Sequence, residues 1–247
     1  MSRATHTHVA PPADSATSVS RVGRVQGGTS IHATANRAAR IAIGATISFQ
    51  VLSAVLIFLR PDLDPNWHTL SEWAIGPFGW LMSVAFLMSA LSYGSLAVAA
   101  RPHARGVIAK AGLTLLVLCA IGTTAVGLFT TDPLDTPQNA LSTTGTIHMI
   151  GASGALMLLP VAALLLNIGI ARNIARSNSA RRRLMWLAGL PLLAFIGFVV
   201  HLAIYVLPLS VQYGPGVPLG WPIRLVFLFY MVWVVTLARE VVRVRGG

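Results

Sequence analysis

A single cysteine in 247 residues excludes an intramolecular disulfide. It is Cys119, inside a long apolar run, where it reads as a small packing residue. Acids are also scarce, seven against eighteen Lys and Arg, and charged residues of all kinds make up 10% of the chain. No acid falls deep inside an apolar run, so the usual proton-coupling carboxylate of a transporter is missing. There is no Gly-rich phosphate loop, no Walker A motif and no GxSxG, which leaves nucleotide-driven transport and that form of serine-hydrolase chemistry without sequence support. No HxxxH or HExxH spacing occurs, so the ligands of any metal would have to come from separate segments. The first 36 residues hold no apolar stretch long enough for the core of a signal peptide.

Hydrophobic residues are plentiful, at 55% of the chain with a mean hydropathy of +0.71. Several apolar runs exceed the roughly 18 residues that separate a membrane span from a core helix. They predict an all-α polytopic membrane protein of six transmembrane helices, at Arg40 to Arg60, Gly79 to Ala100, Ala111 to Thr130, Gly145 to Ala171, Leu184 to Leu209 and Trp221 to Ala238. Pro160 introduces a bend in the long fourth run. "GLP" at Gly189 to Pro191 interrupts the fifth, and such breaks free backbone carbonyls in the way transporters use. Residues 1–36, rich in Ser, Thr, Ala and Gly, read as a disordered basic tail, and 37–247 as the six-helix domain.

Basic residues are retained on the cytoplasmic side of a membrane and set its orientation. Arg3, Arg21, Arg24, Arg37 and Arg40 come before or at the start of the first span; Arg101, Arg105 and Lys110 follow the second; Arg172, Arg176 and Arg181 to Arg183 follow the fourth; Arg239, Arg243 and Arg245 lie in the C-terminal stretch. The first, third and fifth connections have none beyond Arg60 and Arg224 at their borders. The expected topology is multi-pass in the cell membrane with both termini cytoplasmic, N-in and C-in. Basic loops beside anionic lipid headgroups account for the net charge of +11, so nucleic acid is not an expected partner.

Five of the seven acids, Asp62, Asp64, Glu72, Asp132 and Asp135, map to the expected outer side, together with His68, His148, His201 and Arg224. His148 and His201 lie about one and two turns inside their spans, where an ionisable group needs a partner. Arg224 is expected to snorkel outward or to pair with an outer carboxylate, Glu72, Asp132 or Asp62. Trp67, Trp73, Trp80 and Trp221 fall at the outer interface and Trp186 near the inner one, as an anchoring belt does. Trp67, Leu70, Trp73 and Ala74 share one face of a short interfacial helix, with Glu72 facing outward. "GASGA" at Gly151 to Ala155, with Ser89, Ser92 and Gly94, suits close helix packing or a homo-oligomer contact. Gln50 and Asn167 are expected to bond between helices.

These residues support several readings. One is a non-catalytic protein that binds a lipid or protein partner through Glu72, Arg224 and His68. Another is a metal-dependent hydrolase of an amide or ester lipid, with zinc held by His148, His201 and Asp132 or His68. A third is a transporter, or a haem protein with His148 and His201 as axial ligands. "RPDLDPNWHTLSEWAIGPFGWLM" and "GLFTTDPLDTPQNALSTTGTIHMIGA" resemble the multispan membrane proteins catalogued as domain of unknown function 998. Ser71, Gly76 and Pro77 match the segment before the second span, and Gly127, Phe129, Asp132, Gly145 and His148 the turn and entry to the fourth. "FTTD" departs from the pattern, in which a proline is frequent. The resemblance implies six spans and an outer polar cluster, singles out Asp132 and His148, and carries no activity.

On a Cys119→Ala background, a cysteine replacing Asp135 should react with a membrane-impermeant maleimide on intact cells. One replacing Arg172 should react only after permeabilisation. The reverse pattern would invert the topology.

Overall fold

The computed structural model describes residues 14–174, 178–209 and 214–243. They are mostly helical, without strands among the described residues, and six helices are long and apolar enough to cross a membrane. The helices are α1 (Asp14–Leu59), α2 (Gly79–Ala100), α3 (Gly106–Leu128), α4 (Thr143–Ile174), α5 (Asn178–His201) and α6 (Gly220–Arg243). A 3-10 turn, Leu70–Ala74, lies in the first connection and is called the cap turn below. The six spans agree with the expected ones to within several residues. The chain divides at Thr34/Ala35, and the bundle is the unit from Ala35 onward.

Of the tail expected to be disordered, residues 1–13 lie outside the described residues, whereas α1 begins at Asp14. No proline, the strongest helix breaker, occurs between Pro12 and Pro61.

Each span has two apolar faces, one toward the bundle and one toward lipid. On α1, Ala38, Ala42, Ala45, Phe49 and Leu56 are buried at helical spacing, while Ile47, Val51, Val55 and Phe58 are exposed. Phe49 packs against Phe86 of α2 and Phe227 of α6, with ring centroids 6.3 and 5.9 Å apart. Asn167, fully buried, bonds between helices as expected: its amide nitrogen donates to the Leu184 carbonyl at 2.8 Å, and its oxygen accepts from the Trp233 indole at 3.3 Å. That ties α4 to α5 and α6. Tyr230 adds a second α6 to α4 bond, donating to the Leu156 carbonyl at 2.8 Å.

Helices α3 and α4 pack through glycine. A Cβ on Gly122 would stand 3.0 Å from the Gly151 carbonyl oxygen, and one on Gly151 would stand 2.5 Å from that of Gly122. The "GASGA" face is therefore used at Gly151 within the chain, where two backbones approach as small residues allow. Gly151→Val should force the helices apart and lower stability by about 1–3 kcal/mol, the usual range for overpacking. Thermal unfolding in detergent would measure it, with Gly154→Val, which has open space around its Cα, changing little.

A capped polar end of the bundle

The first, third and fifth connections gather at one end of the bundle, here the acidic end. The first connection is not helical over most of its length, so its backbone polar groups need partners from elsewhere. Two arginines supply them. Arg60, 6% exposed, donates through Nη1 to the carbonyls of Ile75 and Pro77 at 2.7 and 2.9 Å. Through Nε and Nη2 it grips Asp62, the shorter contact being 2.7 Å. This folds the chain back onto α2 through Gly76 at φ 78° and Phe78 at φ 58°, both in the left-handed region.

Arg224, four residues into α6, holds the middle of the connection. Its Nη1 donates to the carbonyls of His68, Gly220 and Pro65 at 2.8, 2.9 and 3.3 Å. Its guanidinium lies 4.3 Å from the ring centroid of Trp73 and 5.8 Å from that of Trp221. Gly220 N–H in turn donates to the Asn66 carbonyl at 2.9 Å. The start of α6 and the first connection are thus stitched together by backbone groups and one cation.

These contacts correct several expectations. Among the described residues Arg224 forms no ion pair within 4.0 Å; its partners there are carbonyls and an aromatic face, because the first connection crosses above it. Glu72 does not face outward. It is 7% exposed, and its Oε2 accepts from the Thr69 N–H at 2.8 Å and the Thr69 hydroxyl at 3.3 Å, capping the start of its own turn. Trp73 is no belt anchor either: it is 1% exposed, whereas Trp80, Trp186 and Trp221 are open to the surroundings. Its buried ring gives Arg224 a face to stack on. His68 contributes its carbonyl to Arg224, and its Nδ1–H donates to the Asp64 carbonyl at 3.1 Å.

His148 is almost fully buried near the start of α4. Its Nδ1 lies 2.8 Å from the Phe129 carbonyl, and its Nε2 lies 2.9 Å from Ser71 Oγ on the cap turn. A carbonyl only accepts, so Nδ1 carries the proton, and in the neutral ring Nε2 accepts from the Ser71 hydroxyl. The Phe86 ring meets the imidazole edge-on, 6.0 Å between centroids. Asp132 does other work: its Oδ2 accepts from the Ser142 N–H at 2.8 Å ahead of α4, and a Cβ on Gly145 would collide with that carboxylate. His201 sits apart, donating from Nε2 to the Pro218 carbonyl at 2.6 Å, and a π-helical segment, Leu202–Val206, follows it.

No hydrogen bond or ring contact joins His148, His201 and Asp132, and no three His, Cys, Asp or Glu side chains gather as a metal site among the described residues. Both ring nitrogens of His148 are hydrogen-bonded to protein oxygens.

Two cavities lie beneath the cap turn. One, about 190 Å³, separates α1 from α6 and is lined by Gln50, Ser53, Ala54, Trp221, Arg224 and Leu228, among others. Gln50 thus lines a cavity, where a bond between helices was expected. Among the described residues, Nε and Nη2 of Arg224 are buried without a hydrogen-bond partner. The other cavity, about 140 Å³, has Ser71 and Thr123 on walls otherwise formed largely by Leu70, Phe86, Val126 and Phe227. Sequence reasoning missed Arg60, and it noted Ser71 only within a family pattern. Ser71 and His148 are 77 residues apart, and no spacing rule connects them.

A family model described as "Protein of unknown function (DUF998)" matches residues 42–240. No curated protein and no solved structure matches the chain.

The Arg60 hydrogen bond holds the Asp62 carboxyl below the usual carboxylate range, and the same bond raises the Arg60 guanidinium. A carboxylate depressed in the folded state stabilises above its unfolded pKa, and that stabilisation is lost as pH falls through the folded value. Melting temperature should therefore drop on acidification below about pH 4. The drop should be shallower in Asp62→Asn, and identical profiles would remove Asp62 from the cap.

Proposed function

The chain belongs to the DUF998 family of proteins of unknown function, and from that premise we propose that this integral membrane protein seats a lipid with an anionic headgroup between α1 and α6. The observation that carries the reading is Arg224: two of its guanidinium nitrogens are buried, without a hydrogen-bond partner, beside a cavity of about 190 Å³. An unpaired buried donor costs about 1–3 kcal/mol, and more when it is charged. A phosphate or carboxylate oxygen from the cavity would satisfy both nitrogens in the forked geometry that guanidinium favours.

The rest of the lining suits the remainder of such a lipid. Arg224 is one turn inside α6, at headgroup depth on the acidic end. Gln50 lies nine residues before the end of α1, about 13 Å in from that end at 1.5 Å per residue, and so deeper than Arg224, which is four residues inside α6. Ile57, Leu225 and Leu228 line the path between, and exposed Leu225 and Leu228 open it toward bilayer lipid. Trp221, half exposed at the rim, suits the polar boundary of the membrane. Basic residues crowd the opposite end, so this seat belongs to the outer leaflet of the cell membrane, both termini being cytoplasmic.

Native mass spectrometry of protein released from nanodiscs containing phosphatidylglycerol should find one anionic lipid retained per chain. Ala54→Trp fills the cavity without touching the guanidinium and should abolish retention at an unchanged melting temperature. Equal retention of phosphatidylglycerol by Ala54→Trp and the parent chain would overturn the assignment.

A further inference from the structure

The geometry at the cap turn points to a second capacity, independent of the lipid seat at Arg224. We infer that Ser71 and His148 form a nucleophile and general-base pair that cleaves a carboxylic ester of a long-chain acyl lipid. Nucleophilic serines are recognised by mutual geometry: a hydroxyl within hydrogen-bond reach of a base that a third group orients. Here Ser71 Oγ is 2.9 Å from His148 Nε2, and His148 Nδ1 is 2.8 Å from the Phe129 carbonyl. The carbonyl fixes the tautomer in which Nε2 is free to take the serine proton. Burial of His148 holds the ring in place, and Phe86 packs against it edge-on.

A pair that served only to fasten the cap would need no space beside it. Ser71 instead lines the cavity of about 140 Å³, whose apolar walls include Phe86, Val126, Leu156 and Phe227. That volume is below the roughly 300–1,000 Å³ of a whole small-molecule site, so it suits the part of an acyl chain next to its carbonyl. Ser153, on the same wall, is exposed, which opens the cavity on the α4 side toward the bilayer. Thr123 lines the same cavity.

The chemistry balances with water as the second substrate. Ser71 Oγ bonds to the ester carbonyl carbon while its proton passes to His148 Nε2. The carbon–oxygen bond to the alcohol then breaks, and the imidazolium returns the proton to the departing alkoxide. Water attacks the acyl-serine, giving up a proton to Nε2, and that proton reaches Ser71 Oγ as the fatty acid leaves. The net change is ester plus water to acid plus alcohol, with no change in oxidation state.

The test uses the full chain in detergent with a long-chain alkyl fluorophosphonate, read by intact mass and peptide mapping. The expected result is one adduct per chain on Ser71, absent in Ser71→Ala and slowed about 100-fold or more in His148→Gln, the usual scale of a lost general base. Folded parent protein that stays unlabelled at Ser71, or His148→Gln that labels at the parent rate, would overturn the inference. Should His148→Gln fail to fold, hydrolysis of a long-chain 4-nitrophenyl ester decides. Release by Ser71→Ala at the parent rate overturns the proposal, and loss of release supports it. Retention of phosphatidylglycerol by Ser71→Ala, measured separately, tells failure of the esterase reading from failure of the lipid seat.

Discussion

The acidic end of this protein depends on how a mostly non-helical connection satisfies its backbone polar groups at the edge of a membrane. Away from water each unpaired carbonyl or N–H is costly, which is why irregular backbone at that depth must be covered or paired. Arg60 and Arg224 provide the pairing. Between them they engage the carbonyls of Pro65, His68, Ile75, Pro77 and Gly220, and Arg224 also stacks on Trp73. A guanidinium suits this task because its donors diverge in one plane and it keeps its charge when poorly hydrated.

Once the connection is held down, the remaining features of the site follow. The cap turn sets Ser71 over the end of α4, within reach of His148, and closes the space above α3 and α6 into a cavity. Arg224 is oriented by three carbonyls through a single nitrogen, which leaves its other two nitrogens unpaired beside the α1 to α6 cavity. The same residue is therefore a fastener on one side and an open cation on the other. At the opposite end Glu240 links α5 and α6 by meeting Arg183 at 3.7 Å, and it also meets Arg243 of its own helix at 3.4 Å.

Much of the fold was legible because span length is a one-dimensional signal. Which face of each helix packs inward was not. In a soluble helix the outward face is polar and marks itself, but Ile47 and Val55 on the lipid side of α1 are as apolar as Leu56 on its inner side. For the same reason Trp73 and Trp80 look equivalent in sequence, although one is core and the other surface. Arg224 was recognised as a residue in need of a partner, and Glu72 was expected to face outward. Their partners proved to be backbone groups, which every residue carries and which no motif can single out.

Sequence by itself determined that the chain is an all-helical membrane protein of six spans, because twenty-residue apolar runs have no other stable use. It also identified His148, Asp132 and Arg224 as polar residues clustered toward one end. Tertiary structure alone decided what they touch: it separated His148 from His201 and Asp132, and brought it to Ser71 across 77 residues. The reason is physical. Hydrophobicity acts through composition and survives projection onto a line, whereas hydrogen bonds require atoms at about 3 Å, a relation only the folded chain contains.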